Sequence, residues 1–169
     1  AATPALFAAK GKVDGNGPLA ATLPAVMDAM AIALDRFGTM SLEQVMAPAI
    51  ALADGFPMYG YLRDALVGNR KRTEAYKWGH LYYAEGRVAE VGEIFRQPNL
   101  ARTLRALVAA ERAALAQKRD RSAAIRAARD AFYKGEIARR IGTANRAEGG
   151  VFTEEDLANF QGAIESPTI

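Results

Sequence analysis

The chain has 169 residues, half of them hydrophobic and 24% charged, with 22 basic and 19 acidic side chains and a formal net charge of +3. That balance is too apolar for a disordered chain, and the interspersed acids do not leave the one-signed footprint of a nucleic-acid binder. With no cysteine, disulfides, thiolate metal sites and a cysteine nucleophile are excluded, and a single histidine, His80, excludes multi-histidine metal sites.

In chain order, Ala1 to Pro18 reads as irregular, with turn chemistry at Asp14–Gly17. From Pro24 the spacing predicts a helix with Val26, Met30, Ala33, Leu34 and Phe37 on one face, stopped at Gly38. Ser41 opens S-L-E-Q, a capping-box pattern in which Ser41 and Gln44 satisfy each other's free backbone donors. The helix it starts carries Leu42, Val45, Met46, Ala49, Ile50 and Ala53 and ends at Gly55, with Pro48 expected to kink or split it. These two helices form a hairpin.

Gly55 to Gln97 is less regular. Tyr61 to Val67 suits a short helix, N-R-K-R-T-E reads as a solvated polar stretch, and Leu81–Tyr83 is a short strand candidate ending in a Glu-Gly turn. From Gln97 a long helical run begins, with Pro98 at a tolerated first turn and Leu100, Leu104, Leu107, Val108 and Leu115 as its apolar stripe. Lys118, Arg119, Asp120 and Arg121 break it, and Ser122 is placed to cap a second helix carrying Ile125, Ala128 and Phe132. The helix is expected to continue from Tyr133 to Ala147, with Ile137 and Ile141 inward, and to stop at Gly149-Gly150. Thr153 then caps T-E-E-D, whose acids sit favourably in a first turn, and Leu157 and Phe160 give that last helix its apolar side. The pattern is mainly α, with little strand, and 1–169 reads as a single helical segment without repeats.

No self-sufficient active site emerges. The clusters Arg70-Lys71-Arg72, Lys118-Arg119-Arg121 and Arg139-Arg140 lack any base-stacking or helix-turn-helix companion, so no nucleic-acid partner is expected. His80 has no evident partner, and Glu154-Glu155-Asp156 is explained by its position at a helix start. The glycines of Gly11–Gly17 follow no strand and precede no G-K-[ST], so they make no phosphate loop. Thr39, Thr73 and Thr153 suit turns and caps, without an activating neighbour. Tyr76, Trp78, Tyr82 and Tyr83 could form a ligand platform; as anchors of a loop-rich segment they need no ligand, and that reading is preferred. No catalytic, substrate-binding or metal-binding residue, and no cofactor, is assigned. No apolar run reaches the roughly 18 residues of a spanning helix, and A-A-T-P-A-L-F-A-A-K is not an intact signal peptide, so the segment carries no targeting signal.

Four phrases in order do resemble a known family. L-D-R-F-G-T-M-S-L-E-Q-V-M-A-P-A-I-A-L-A-D-G-F at Leu34–Phe56, E-I-F-R-Q-P-N-L-A-R-T-L at Glu93–Leu104, D-A-F-Y-K-G-E-I-A-R-R-I at Asp130–Ile141 and G-G-V-F-T-E-E-D-L-A-N-F at Gly149–Phe160 resemble bacterial γ-glutamyltransferases (γ-glutamyltranspeptidases). The chain departs from that pattern at Thr22–Ala29, where T-L-P-A-V-M-D-A replaces a glycine-rich G-x-P-G-T-V-A-G, and at Ala109–Ala128, which is longer than in compact relatives.

The resemblance implies the helical lobe, in the middle and later part of a large subunit, of an αββα N-terminal-nucleophile hydrolase that cleaves itself into two subunits. The new N-terminal threonine of the small subunit would attack the γ-glutamyl bond of glutathione or a similar donor and form an acyl-enzyme. It further implies a periplasmic or secreted enzyme whose arginine grip on substrate precedes Ala1 and whose threonine follows Ile169, so no functional residue transfers to this chain. Its partners would be the remainder of the large subunit, the small subunit and, in the parent, a small γ-glutamyl substrate. By itself the chain is expected to be inactive, to expose apolar surface and to self-associate through it. The alternative is a non-catalytic helical interaction module derived from the same scaffold.

Overall fold

Helices account for most of the computed structural model, which describes residues 3–11, 15–83 and 86–166. The chain divides into two compact units, Ala1–Gln44 with Ala106–Ile169, and Val45–Arg105. In order the elements are α1 Pro4–Lys10, α2 Val26–Phe37, α3 Leu42–Asp54, β1 Phe56–Pro57, α4 Gly60–Thr73, a 3-10 helix at Lys77–Tyr82, β2 Ile94–Phe95, α5 Pro98–Ala116, α6 Arg121–Tyr133, α7 Glu136–Ala147 and α8 Glu154–Ala158.

The discontinuous unit is built on α6. This helix packs against α2 and α7, and its Ala124, Ile125 and Ala128 are buried. At its C-terminal end Tyr133, Ala138 of α7 and Leu157 of α8 are fully buried, with Leu23, Met27, Phe132, Ile141, Phe152 and Phe160 against them. Gly142 is required at the α7–α8 crossing: a Cβ there would come within 2.8 Å of the Glu154 backbone nitrogen.

The helix predicted from Pro24 is present, but a different face of it is covered. Val26, Met30 and Phe37 are 70%, 62% and 75% exposed, while Asp28 and Ala31 are buried. Apolar periodicity identifies the helix; the ionic partners on α6 select which side docks. The Ser41–Gln44 capping box forms as predicted, Ser41 N donating to Gln44 Oε1 at 2.9 Å and Gln44 N to Ser41 Oγ at 3.1 Å. α3 is not split at Pro48. Thr153 and Asp156 likewise make both reciprocal bonds of a capping box.

Three other expectations change, and one falls partly outside the described residues. The N-terminal stretch contains α1, with Thr3 capping Leu6 N at 3.3 Å. The residues of Asp14–Gly17 are described only from Gly15 onward, so the turn start lies outside the described residues. The cap of α6 is Asp120, accepting from Ala123 N at 2.7 Å, while Ser122 turns to the Asp35 carboxylate at 2.6 Å. Helix does not run through Tyr133: α6 stops there and α7 restarts after Gly135.

In the continuous unit, α4 absorbs most of the polar stretch that follows Val67, its Arg70, Lys71 and Arg72 forming the last helical turn, where cations suit the helix dipole. The strand candidate Leu81–Tyr83 falls instead largely in the 3-10 helix, and the Glu of its Glu-Gly turn lies outside the described residues. The strands are β1 and β2, antiparallel, with Phe56 opposite Phe95 and Pro57 opposite Ile94. The two rings meet edge to face at 5.7 Å.

Candidate functional site

The densest buried polar cluster lies between α2, α6 and the segment after α8. Asp28 is 2% exposed. One of its carboxylate oxygens accepts from Arg129 Nε and the other from the Gly162 amide. Arg129 also donates to the Phe160 carbonyl and to Asp130 Oδ1, the latter at 3.1 Å, and its guanidinium lies 4.7 Å over the Tyr133 ring. Tyr133 follows Arg129 by one helical turn, which puts both on the same face. Its hydroxyl donates to Pro24 O at 2.6 Å and accepts from Asp28 N at 3.1 Å. Every arm of this cluster is therefore satisfied, and it ties the entry of α2 to residues more than a hundred positions later.

Burial pushes the Tyr133 phenol above its ordinary value of 10.0. For Arg129 burial opposes the charge, yet the hydrogen bonds to Asp28 and Asp130 prevail and hold the guanidinium above its ordinary value. Beside the cluster a cleft of about 360 Å³ is lined by Ile32, Asp35, Arg126, Lys134 and Gln161 as well. Its rim charges are also paired, Arg126 with Asp35 at 3.6 Å and Lys134 with Asp130 at 3.2 Å.

A second buried acid, Glu111, is 1% exposed. It receives the first amides of α3, Leu42 N at 2.7 Å and Glu43 N at 2.8 Å, one on each oxygen. It is thus a capping carboxylate brought from α5, placed at the positive end of α3. Next to it Arg112 pairs bidentately with Glu43 and draws the Glu43 carboxyl below its ordinary value. Arg121, read from sequence as part of the break between two helices, closes the other end of α2 by donating to Leu34 O at 2.7 Å and Met40 O at 3.0 Å.

In the continuous unit the polar groups are exposed. Arg63 pairs with Glu90 at 2.8 and 3.1 Å, and Arg87 with Glu93 at 2.6 and 3.1 Å. Arg70 reaches Glu74 at 2.7 Å and Gly86 O at 2.6 Å. Tyr76 and Trp78 stack at 5.3 Å, and Trp78 meets Tyr82 edge-on at 6.2 Å. Of the four aromatics, Tyr83 is the buried anchor, donating to Leu66 O at 3.2 Å.

The groups weighed from sequence are dispersed. His80 is exposed on the 3-10 helix, its Nδ1 2.6 Å from Lys77 O, an acceptor that fixes the proton on that nitrogen. Thr73 Oγ1 donates to Asn69 O at 3.0 Å, and Thr153 Oγ1 is committed to Asp156 in its capping box. Periodicity marks neither Asp28 nor Glu111, because each acts through a partner distant in sequence. The signal available for Asp28 is an acid in an otherwise apolar stretch, opposite an Arg-x-x-x-Tyr on another helix.

A family model described as Gamma-glutamyltranspeptidase matches residues 1–169. The chain is 32% identical over 157 residues to the glutathione hydrolase proenzyme of Escherichia coli, a match covering 88% of this chain and 23% of that protein. It is 31% identical over 159 residues to the corresponding proenzyme of a Pseudomonas species, covering 88% and 25%. The fold of the Helicobacter pylori gamma-glutamyltranspeptidase superposes with a TM-score of 0.78 at 27% identity, over 95% of this chain and 43% of that one. That of the cephalosporin acylase from Bacillus halodurans gives 0.74 at 27%, over 94% and 28%. The chain thus spans about a quarter of the curated relatives it matches. Its mainly helical architecture, with two short strands among the described residues, is a helical part of the fold shared by these N-terminal-nucleophile hydrolases. No helix among the described residues is long and apolar enough to cross a membrane.

Proposed function

The chain belongs to the gamma-glutamyltranspeptidase family, and we propose that it is the helical scaffold of an enzyme that takes the γ-glutamyl group from glutathione or a related donor. The group passes to water or an amino acid through an acyl-enzyme on the N-terminal threonine of a small subunit, whose own α-amine is the base. Backbone amides stabilise the tetrahedral oxyanion. No catalytic, substrate-binding or metal-binding residue lies in this chain, and no cofactor is needed. The 169 residues act as one segment of a large subunit, in the periplasm or outside the cell, with the remainder of that subunit and the small subunit as partners.

The observation that carries this reading is the match over the whole of residues 1–169 by one family, in a segment whose buried acids are committed to structure. Asp28 is held by Arg129 and Gly162, and Glu111 caps α3. The exposed row Val26, Met30 and Phe37 on α2 is apolar surface that the remainder of the protein would cover.

Chromophore release from a γ-glutamyl anilide separates the possibilities. The 169-residue chain is expected to release nothing, and the complete protein encoded by its gene to turn over. Turnover by the chain alone overturns the scaffold role, and an inactive complete protein lacking a downstream threonine leaves the interaction-module reading. In size exclusion the chain alone should self-associate; a strict monomer at high concentration that binds no hydrophobic dye counts against an uncovered docking face.

A further inference from the structure

The groove around Arg96 in the continuous unit has a chemistry that the proposed function does not use. Two cavities, of about 200 and 470 Å³, meet there and share Ala89, Ile94 and Arg96. The smaller is apolar, its remaining walls being Leu81, Tyr82 and Phe95. The larger adds Arg87 and Glu93, which neutralise each other in a bidentate pair at 2.6 and 3.1 Å. Glu93 is further occupied by the Glu90 amide at 2.8 Å. Arg96 differs: among the described residues its guanidinium has no hydrogen-bond or ion-pair partner. Its stem lies across Gly55, where a Cβ would come within 3.2 Å of Arg96 Cγ and 3.5 Å of Nε. The charge at the junction of the two cavities is thus positive, its stem set against Gly55, and unpaired among the described residues.

We propose that this groove binds an organic carboxylate bearing an aromatic or branched apolar group. The carboxylate pairs with the Arg96 guanidinium, whose planar fork suits two parallel N–H···O bonds. The apolar part enters the cavity between Leu81, Tyr82, Ile94 and Phe95, and the arrangement of few polar groups at the mouth of an apolar pocket is that of a small-molecule site. Ile94 and Leu81, 46% and 45% exposed, gain cover from such a ligand. This inference does not depend on the γ-glutamyl reading.

Trp78 is the chain's single tryptophan, edge-on to Tyr82 of the cavity wall, and so reports on occupancy. The full chain, labelled with 15N, is titrated with 4-phenylbutyrate and separately with neutral 4-phenylbutan-1-ol. The acid is expected to shift the Trp78 indole and Arg96 Nε–H resonances saturably and to bind at least tenfold more tightly than the alcohol. Arg96→Gln should lose that tenfold preference while the other resonances stay in place. Arg96→Glu should transfer the preference to 4-phenylbutylamine, a reversal that misfolding cannot produce. Equal binding of acid and alcohol, an unchanged preference in Arg96→Gln, or no saturable shift with any probe overturns the proposal.

Discussion

The two compact units handle charge in opposite ways. In the discontinuous unit the buried acids Asp28 and Glu111, the first paired with a half-buried Arg129, bridge helices far apart in sequence, whereas in the continuous unit Arg63, Glu90, Arg87 and Glu93 pair on the surface. A buried ion pair strands its partner when it is broken, but a surface pair returns both groups to water. The number of ion pairs is therefore a poor guide to which unit depends on them. Solvent access decides it.

The largest expected effect is on removing Arg129. Arg129→Met leaves the Asp28 carboxylate with the Gly162 amide and without its countercharge, at a cost of about 3 kcal/mol, the low end for a stranded buried charge because Arg129 keeps some solvent contact. In a chain of this size that lowers Tm by roughly 6–12 °C. Adding Asp28→Ala should restore part of the loss, and a double variant as unstable as the sum of the singles would show that the two side chains do not act as a pair. Next comes Tyr133→Phe, which leaves Pro24 O and Asp28 N without their shared partner in a fully buried site, for about 2 kcal/mol by urea unfolding. Glu111→Gln follows at about 1.5 kcal/mol, since one of the two α3 amides then faces an NH2 group instead of an oxygen. By contrast, Arg63→Ala and Arg87→Ala should leave Tm within its measurement scatter, and a clear drop in either would break the contrast between the units.

These differences also explain what the sequence made legible. The capping boxes at Ser41–Gln44 and Thr153–Asp156 were readable because both partners lie within one helical turn, and the four family phrases because their order is preserved. The covered face of α2 was not, since Val26, Met30 and Phe37 satisfy helical periodicity as well as Asp28 and Ala31 do, and only Arg129 and Gly162 decide between them. Glu111 interrupts an apolar stripe and reads as surface until α3 presents its free amides. The two-residue strands are too short for any alternation to register, and Arg96 becomes distinctive only once its neighbours are seen to be paired.

The pH dependence gives the smallest and most discriminating contrast. Arg63 holds Glu90 below its ordinary value of 4.5, and Arg87, with the Glu90 amide, does the same for Glu93. A depressed carboxyl stabilises the fold above its unfolded value and ceases to do so as pH falls through the folded one, so this contribution is lost below pH 4.5. The Tyr133 phenol is raised instead, by burial, so its contribution is complete below pH 10.0 and is lost as pH climbs beyond it. Acid should therefore loosen the continuous unit's surface pairs, which salt also screens, while alkali should act on the discontinuous unit's core. Amide hydrogen exchange resolved by residue tests both at once. Tyr133→Phe should remove the alkaline loss of protection around α2 and α6, and Arg87→Ala should remove the acid loss around β2. If alkaline opening persists unchanged in Tyr133→Phe, the buried phenol is not its source.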